Sequence, residues 1–315
     1  MREIHGLFTM PRLPPLNALR CLEAAVRARS FTRAAGELNV TQSAVSHQIK
    51  ALEKELGTQL FLRAKRGVVL TEAGKIALTH ARTVLSEAER MQEIVAGRER
   101  DLVGTVRVAA ATQALVYLFA PLFEDFMDAN GSVELVFRTT PSTEQTVSDV
   151  LEGLIDVGFA SLAVYSPILQ VTQLFSDELV LVVGRKHPLA SQQKASIDEL
   201  KNERWILFER GASIRRATDA FFREISVNPE KALESNDTYF IKLMIERAQG
   251  ISLLPAWTVR EEVKSGRLSR LSIDGHQLNR SVSMVSLKAA QSAPINAFLK
   301  FMVENKETLQ GSALV

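Results

Sequence analysis

The chain has 315 residues, of which 46% are hydrophobic and 23% charged, an ordinary globular composition that excludes disordered, collagen-like and disulfide-scaffold proteins. At about 150 residues per domain, this length predicts two or three folding units. The single cysteine, Cys21, excludes an internal disulfide and favours the reducing cytosol. No stretch approaches the roughly 20 apolar residues of a membrane span, and the first residues lack the apolar run of a secretory signal. We therefore expect a cytoplasmic protein without a membrane partner.

Charge is distributed unevenly along the chain. Residues 1–100 carry 16 Lys and Arg against 10 Asp and Glu, whereas the remaining residues carry 22 against 26. The net charge of +2 therefore combines a basic first third with a mildly acidic remainder. An excess of this size is common, but it is consistent with a polyanion-binding module joined to a module that does not bind one.

The first hundred residues predict short helices, a hairpin and a long helix. Ser30 and Thr41 are residues that cap helices well, and Gly57 ends the third helix. The predicted elements are helices over Leu16–Ala28, Phe31–Leu38 and Thr41–Leu56, a hairpin over Leu62–Leu70, and a helix from Thr71 to about Gly97.

The third of these helices has two different faces. Val45, Ile49, Leu52 and Leu56 are spaced to pack inward. The opposite face presents hydroxyl, amide and imidazole groups instead of the Glu and Lys of an ordinary solvated helix. Such groups at the N-terminal end of a recognition helix favour contacts with base edges in the DNA major groove. The outward residues are Gln42, Ser43, Ser46, His47 and Lys50.

Basic residues also cluster at the tip of the predicted hairpin. Arg63, Lys65 and Arg66 suit contacts with DNA phosphates, which position a protein without reading sequence. The alternatives are a solvated hairpin tip and, for His47, a surface histidine without a role. Cys21 is spaced as a core residue of the first helix and is favoured as such over a sensor thiol. The long helix carries more apolar residues than a small domain covers, which favours a dimer contact.

From Gly104 onward strands alternate with helices, which predicts a parallel sheet and an α/β fold. A second run follows the first, and two α/β lobes typically bind a ligand in the crevice between them. The first run has strands at Thr105–Ala111, Val133–Thr139 and Ile155–Ala160 and helices at Leu115–Ala129 and Thr143–Glu152. The second has strands at Leu179–Gly184, Trp205–Phe208 and Gly250–Leu254 and helices at Ile214–Ile225 and Tyr239–Ala248. A strand at Val282–Leu287 and a helix at Pro294–Lys306 follow.

Residues 13–74 resemble the DNA-binding domain of LysR-type transcriptional regulators; they read LPPLNALRCLEAAVRARSFTRAAGELNVTQSAVSHQIKALEKELGTQLFLRAKRGVVLTEAG. The segments LNALR and TQSAVSHQI are most similar to the branch that contains the glycine-cleavage activator and the β-lactamase-induction regulator. GTVRVA at 104–109, LEGLIDVGFA at 151–160 and ISLLP at 251–255 are similar to the two-lobed effector domain of the family. The chain departs from the family in reading ERAQGISLLP, where a glycine-rich turn often precedes the strand.

The resemblance implies a multidomain protein with an all-α winged helix-turn-helix over 13–70 and a linker and dimerisation helix over 71–100. It implies a periplasmic-binding-protein-like α/β effector domain over 104–315, with lobe I at about 104–162 and 271–306 and lobe II at about 163–270. The implied partners are double-stranded DNA with an interrupted-dyad operator, a small effector, and further copies of the chain in a dimer through 71–97 that assembles into a tetramer. The start of the resemblance at Leu13 leads us to expect translation from Met10, since residues 1–9 add no capping or periodic feature.

The resemblance also implies roles for individual residues. The residues implied to contact DNA bases are Gln42, Ser43, Ser46 and His47, with Lys50 beside them. Those implied to contact the DNA backbone are Ser30, Thr32, Arg33, Arg63 and Arg66. The effector site is implied to involve Thr112, Gln113, Thr140, Ser142, Ser161, Phe208 and Ser213. Two of these have plainer readings, because Thr112 could simply cap a helix and Phe208 is favoured as a core residue.

The sequence therefore predicts an effector-responsive transcription regulator that is not an enzyme. Residues 104–315 contain no nucleophile elbow, P-loop or dinucleotide fingerprint, so we expect no catalytic residue and no cofactor. No histidine has a partner at metal-ligand spacing, and His187-Pro188 indicates a turn, so we expect no metal site. Hydroxyls near a helix N-terminus favour an anionic effector, with peptides, sugars and aromatic compounds as alternatives. The alternative functions are an architectural DNA-binding protein and, less favoured, a solute carrier or enzyme.

Overall fold

The computed structural model describes residues 13–62, 68–95, 102–288 and 291–314. The chain forms two compact units, the first built mainly from residues up to 99 and the second mainly from those after it. Within the described residues, no helix is both long enough and apolar enough to cross a membrane.

The first unit contains three short helices, a two-stranded hairpin and a long helix, as the sequence predicts. Ser30 Oγ accepts a hydrogen bond from Arg33 N at 3.3 Å, and Thr41 Oγ1 accepts one from Ala44 N at 3.2 Å, so both predicted caps are confirmed. The elements are α1 (Leu16–Ala28), α2 (Phe31–Glu37), α3 (Gln42–Leu56), β1 (Phe61–Leu62), β2 (Val69–Leu70) and α4 (Glu72–Val95). The predicted hairpin tip, with Arg63, Lys65 and Arg66, lies outside the described residues.

An apolar core holds these helices together. Val45, Ile49 and Leu52 are buried in it together with Cys21, so Cys21 is a core residue, and burial raises the pKa of its thiol. Leu56 is 44% exposed, contrary to the prediction that it packs inward. Leu56 occupies the last turn of α3, directly before the left-handed Gly57 that ends the helix.

Helix α4 is buried on one side only. Leu78 and Leu85 contribute to the core of the first unit. Ile76, Met91 and Val95 are more than half exposed and Val84 is 46% exposed. At 100° per residue these four positions fall within about one-third of the helix circumference, which leaves an apolar stripe on the surface of the chain.

The second unit is an α/β structure with two lobes. Its strands are β3 (Gly104–Ala110), β4 (Val133–Thr139), β5 (Val157–Ala160), β6 (Leu169–Gly184), β7 (Lys194–Ala195), β8 (Arg204–Phe208), β9 (Glu230–Ser235), β10 (Ser252–Pro255), β11 (Leu268–Ile273) and β12 (Leu278–Leu287). Its helices are α5 (Thr112–Ala114), which continues through a π-helical turn (Leu115–Phe119) into α6 (Ala120–Ala129), then α7 (Thr143–Leu151), α8 (Ile197–Leu200), α9 (Ser213–Glu224), α10 (Thr238–Glu246), α11 (Arg260–Lys264), α12 (Ala293–Glu304) and α13 (Lys306–Leu314).

Two long antiparallel strands run through both lobes. β6 pairs with β12 from Leu169↔Leu287 to Leu179↔Leu278. In lobe I, β12 also pairs with β5, beside the parallel strands β3 and β4. In lobe II, β6 pairs instead with β10 and β11. The two strands therefore form the connection between the lobes.

This pairing differs from the sequence expectation in two ways. The sequence predicts a strand at Leu179–Gly184 only and assigns all of 163–270 to lobe II. In the structure, Leu169–Phe175 belongs to the sheet of lobe I, whereas Leu271–Ile273 pairs within lobe II. The first half of β6 begins with alternating apolar and polar residues at Leu169–Thr172, but Gln173 breaks the alternation, which weakens its strand signal.

Each lobe has its own core. Phe119, Phe126 and Phe298 are fully buried in lobe I, where α13 adds Leu309; the sequence ends its last helix at Lys306 and does not predict α13. Lobe II is built around Trp205, with Phe222 packed edge-on at a centroid distance of 4.7 Å.

Candidate functional site

The outer face of α3 carries the residues predicted to contact base edges. Gln42, Ser43, His47 and Lys50 are exposed and Ser46 is half-buried, while the buried stripe holds the opposite face against α1. Positions 42, 46 and 50, like 43 and 47, are four residues apart and therefore adjacent on the helix surface. The structure thus groups all five side chains on one accessible helix face.

The residues predicted to contact the DNA backbone lie at the start of α2. Thr32 and Arg33 are exposed, and the half-buried Ser30 uses its hydroxyl to cap the helix. Asn39, in the turn between α2 and α3, has a φ of +54°, a conformation that asparagine tolerates better than most residues. Arg63 and Arg66 lie outside the described residues, so their role stays a prediction.

A cavity of about 900 Å³ lies between the two lobes of the second unit. The residues that line it come from the carboxyl ends of strands and from the loops that follow them, where open α/β sheets bind ligands. All seven residues predicted for the effector site line it: Thr112, Gln113, Thr140, Ser142, Ser161, Phe208 and Ser213. Phe208 is also a core residue, with 4% exposure.

Two helix N-termini in this cavity have free hydrogen-bonding groups. The N-cap residue of the helix that begins at Thr112 is Ala111, and it makes no side-chain cap, so the first backbone N–H groups of this helix lack a partner within it. Thr238, the first residue of α10, is 4% exposed, and its Oγ1 has no hydrogen-bond partner among the described residues. A buried hydroxyl without a partner is costly unless a ligand or water satisfies it.

Other hydroxyls in the cavity are hydrogen-bonded to one another. Thr140 and Thr146 join their Oγ1 atoms at 2.6 Å. Ser213 Oγ, from lobe II, accepts from Thr143 N of lobe I at 2.7 Å and donates to Thr143 Oγ1 at 3.1 Å. Ser142 Oγ accepts from Gln145 N at 3.2 Å and so acts as a cap. Thr143 and Ser213 therefore hold the lobes together.

Charged side chains of both signs complete the lining. Arg280 of β12 is held by the fully buried Asp177, whose Oδ2 accepts from Arg280 Nε at 2.7 Å. Trp257 Nε1 donates to the other oxygen, Oδ1, at 2.8 Å. Exposed Glu209, Arg210 and Asp237 lie in the lining as well. The Asp237 carboxylate already caps α10 by accepting from Phe240 N at 3.1 Å.

A buried lysine supports the cavity from behind its wall. Lys242 Nζ donates to Glu262 Oε1 at 2.7 Å and to the carbonyl of Thr258 at 2.9 Å. It also lies 3.2 Å from Oη of Tyr117, a lobe I residue that lines the cavity. Lys242 thus links α10 of lobe II to the helix that begins at Thr112.

Sequence reasoning missed several cavity residues. Arg280 was missed because the predicted strand began at Val282, two residues too late. Thr238 follows β9, whose charged sequence EKALES gave no strand signal. Thr143 and Thr146 could have been predicted from the sequence, because they lie about one turn apart at the start of a predicted helix.

Known protein families match nearly the whole chain. The model described as "Bacterial regulatory helix-turn-helix protein, lysR family" matches residues 16–75, and that described as "LysR substrate binding domain" matches residues 99–307. The chain is 31% identical to the uncharacterized HTH-type transcriptional regulator YwqM of Bacillus subtilis over 77% of its length and 83% of YwqM. It is 28% identical to the transcriptional activator CmpR of Synechocystis over 93% of its length and 96% of CmpR.

Solved structures agree with this assignment. A full-length OxyR variant from Pseudomonas aeruginosa has a TM-score of 0.77 at 21% identity and covers 94% of this chain and 95% of its own. The regulatory domain of CcmR from Synechocystis, solved in complex with 2-PG, has a TM-score of 0.60 at 25% identity and covers 65% of this chain and 98% of its own. The chain therefore belongs to the LysR family of DNA-binding transcription regulators, with an N-terminal helix-turn-helix and a C-terminal effector-binding domain.

Proposed function

We propose that the interlobe cavity binds a small anionic effector and that this effector controls how a dimer of the chain binds an interrupted-dyad operator. The main support is that seven residues expected at an effector site from separate segments of the sequence line one cavity. Its volume of about 900 Å³ is within the range of small-molecule sites.

Three features favour an anion. The uncapped helix start at Thr112 and the unpartnered hydroxyl of Thr238 both offer hydrogen-bond donors, and a helix N-terminus attracts negative charge. Arg280 supplies guanidinium N–H donors in the cavity lining, and its charge is balanced by the buried carboxylate of Asp177. The CcmR domain, a relative in fold, was solved with 2-PG. Glu209 and Asp237 oppose an anion on the lobe II side of the cavity, so we place it toward the helix start at Thr112.

The DNA side of the proposal assigns sequence reading to α3. Gln42, Ser43, Ser46 and His47, with Lys50, contact base edges, and Ser30, Thr32 and Arg33, with Arg63 and Arg66, contact the backbone. Two such helices in a dimer read half-sites about one DNA turn apart, roughly 34 Å. In this proposal the exposed apolar stripe of α4 forms the dimer contact, and two dimers associate into a tetramer. The protein acts in the cytoplasm. The proposal includes no catalysis.

A thermal-shift screen of the full-length protein tests the effector proposal. The panel contains 2-PG, inorganic phosphate, dicarboxylates, amino acids, sugars and short peptides. We expect an anion to raise the melting temperature, because a ligand that binds only the folded state stabilises it, and to change operator binding. Stabilisation by zwitterionic amino acids or neutral sugars alone would contradict the anionic class.

DNA-binding titrations with the same panel of compounds separate the alternatives. An architectural DNA-binding protein would bind its sites with the same affinity in the presence of every compound on the panel. The narrower placement of the chain in the branch of the glycine-cleavage activator and the β-lactamase-induction regulator stays a prediction from the LNALR and TQSAVSHQI segments.

A further inference from the structure

Lobe II contains a second cavity, separate from the one between the lobes. It measures about 370 Å³ and is lined by residues of β8, α9 and β9 and of the loops on either side of α9. Leu207, Phe222 and Val227 form a buried apolar wall. Its charged lining consists of Arg210, Arg215, Arg223 and Lys231 against Asp219 and Glu234. Four cations against two carboxylates leave an excess of two positive charges.

Arg215 is fixed in the wall of this cavity by three hydrogen bonds. Its side chain is 9% exposed. Nε donates to Asp219 Oδ1 at 2.8 Å, and Nη1 donates to Glu234 Oε1 and to the carbonyl of Phe208, both at 2.7 Å. The hydrogen bond from Arg215 lowers the pKa of Glu234. Both carboxylates of the cavity therefore accept a hydrogen bond from Arg215.

The remaining cations have few partners. Lys231 Nζ lies 3.6 Å from Glu234 Oε1, which already accepts from Arg215. Arg210 and Arg223 are exposed, and neither forms an ion pair with a described residue. An arginine guanidinium can donate two parallel hydrogen bonds to the oxygens of a phosphate or carboxylate, which makes it well suited to bind such groups. Two unpaired arginines beside a lysine around one concavity therefore leave a charge that a ligand can neutralise.

We propose that this cavity is a second ligand site, for a compact anion that carries two or more negative charges. Phosphate esters, diphosphates and tricarboxylates share this chemistry. Arg223, Lys231 and Arg210 contact the anion, Arg215 fixes the wall, and the apolar side faces the carbon part of the ligand.

The position of the site connects it to the interlobe cavity. Arg210 lines both cavities. Arg215 holds the carbonyl of Phe208, which lines the interlobe cavity, and α9 begins at Ser213, which contacts Thr143 across the cleft. An anion bound here therefore changes the affinity of the interlobe cavity for its effector; this coupling rests on the proposed function, whereas the binding does not.

Isothermal titration of the full-length protein with inorganic pyrophosphate and with citrate tests the binding. We expect the double variant Arg223→Gln/Lys231→Gln to bind the preferred anion at least tenfold more weakly. The matched control is Lys186→Gln/Lys264→Gln, which removes the same charge from exposed positions of lobe II outside both cavities. We expect this control to bind within twofold of the unmodified protein. The two probes show whether phosphate or carboxylate chemistry is preferred.

Several results would overturn the proposal: no binding of either probe, unchanged binding in the Arg223/Lys231 variant, or an equal loss in the control, which would indicate general charge attraction. Should the double variant unfold, Arg223→Gln alone applies the same criterion with a threefold loss. Stoichiometry separates the two cavities. A fall from two anions to one in the double variant means that both sites bind the probe, whereas a fall from one to none means that only this site binds it. The interlobe proposal is tested separately by the thermal-shift screen, so the two proposals can fail independently.

Discussion

Ala248 has a backbone conformation that glycine usually adopts. It follows the last turn of α10 with a φ of +57°, and Ala248 N and Gln249 N donate to the carbonyls of Ile245 and Met244, as in a Schellman motif. We expect Ala248→Gly to raise the free energy of unfolding by about 0.5–1 kcal/mol. The relief of left-handed strain exceeds the extra freedom that glycine gives the unfolded chain. Urea denaturation of the two proteins measures this difference.

Gly250, two residues later, provides the opposite test. Its φ is +155°, and a Cβ placed there would lie 2.5 Å from the carbonyl oxygen of Arg204. Because the obstacle is backbone, Gly250→Ala should lower the free energy of unfolding by more than the gain at Ala248. A loss of stability in Ala248→Gly would show that the left-handed alanine is not strained.

The residues of the DNA-binding unit should divide into those that read bases and those that hold the backbone. We expect Gln42→Ala to weaken specific operator binding by roughly 1–3 kcal/mol and to relax the base preference at one position of each half-site. Arg63→Ala should weaken specific and non-specific binding alike and reduce the salt dependence. Binding titrations on operator and random DNA at several salt concentrations distinguish the two. Altered sequence preference in Arg63→Ala but not in Gln42→Ala would reverse the assignment.

At the level of elements, the exposed apolar stripe of α4 leads to a prediction about dimer formation. Met91 is 60% exposed in the middle of the apolar stripe. Met91→Glu should raise the dimer dissociation constant at least tenfold, since an unpaired charge is costly in an apolar interface. Gln92→Glu, on the neighbouring face of the same helix, is the matched control. Sedimentation that shows both variants equally dimeric would remove the stripe as the dimer contact.

The contact between α7 and α9 makes a prediction about pH. A hydrogen bond from Arg216 lowers the pKa of Glu144 below its ordinary value of 4.5. A lowered pKa in the folded state means that the contact stabilises the protein above about pH 4.5 and that this contribution disappears as the pH falls further. Both side chains are about half exposed, so Glu144→Gln should cost well under 1 kcal/mol at pH 7 and nothing in strong acid. Thermal melting at pH 7 and in strong acid measures the stability cost of Glu144→Gln, with Glu124→Gln as the control. A cost that persists in acid would show that the ion pair with Arg216 is not its cause.

Predictability from sequence differed between elements for physical reasons. The helices of the first unit have caps such as Ser30 and Thr41 and a clear helical period, so their bounds followed within one or two residues. β9 was missed because most of its residues, EKALES, are charged or polar, and the first half of β6 was missed because Gln173 breaks its alternating pattern. These strands form because they pair with segments that are distant in the sequence. The ion pair between Arg280 and Asp177 also joins distant residues, so the local sequence does not predict it.

At the scale of the whole molecule, the interlobe cavity was predictable where it depends on local order. Residues such as Thr112 and Ser161 follow strands directly, and the topology of parallel strands brings their carboxyl ends to one edge. Lys242 could not be found this way, because its contact with Tyr117 depends on how lobe II packs against lobe I. Thr238 could not be found because it follows β9, which gives no strand signal.

The whole-molecule prediction concerns the separation of DNA binding from its control. Thr112 lies in the second unit, far along the chain from α3, and lines the interlobe cavity at an uncapped helix start. Thr112→Val removes one hydroxyl at nearly constant volume and leaves the DNA-reading residues untouched. We expect operator affinity within about threefold of the unmodified protein, which is under 1 kcal/mol, together with loss of the response to the stabilising anion. A ligand shifts an equilibrium only by its preference for one state, so losing its contacts removes the shift. Operator titrations with and without the anion measure both quantities, and Thr105→Val, at the opposite end of the preceding strand, is the matched control. A normal response in Thr112→Val would exclude Thr112 from the effector site.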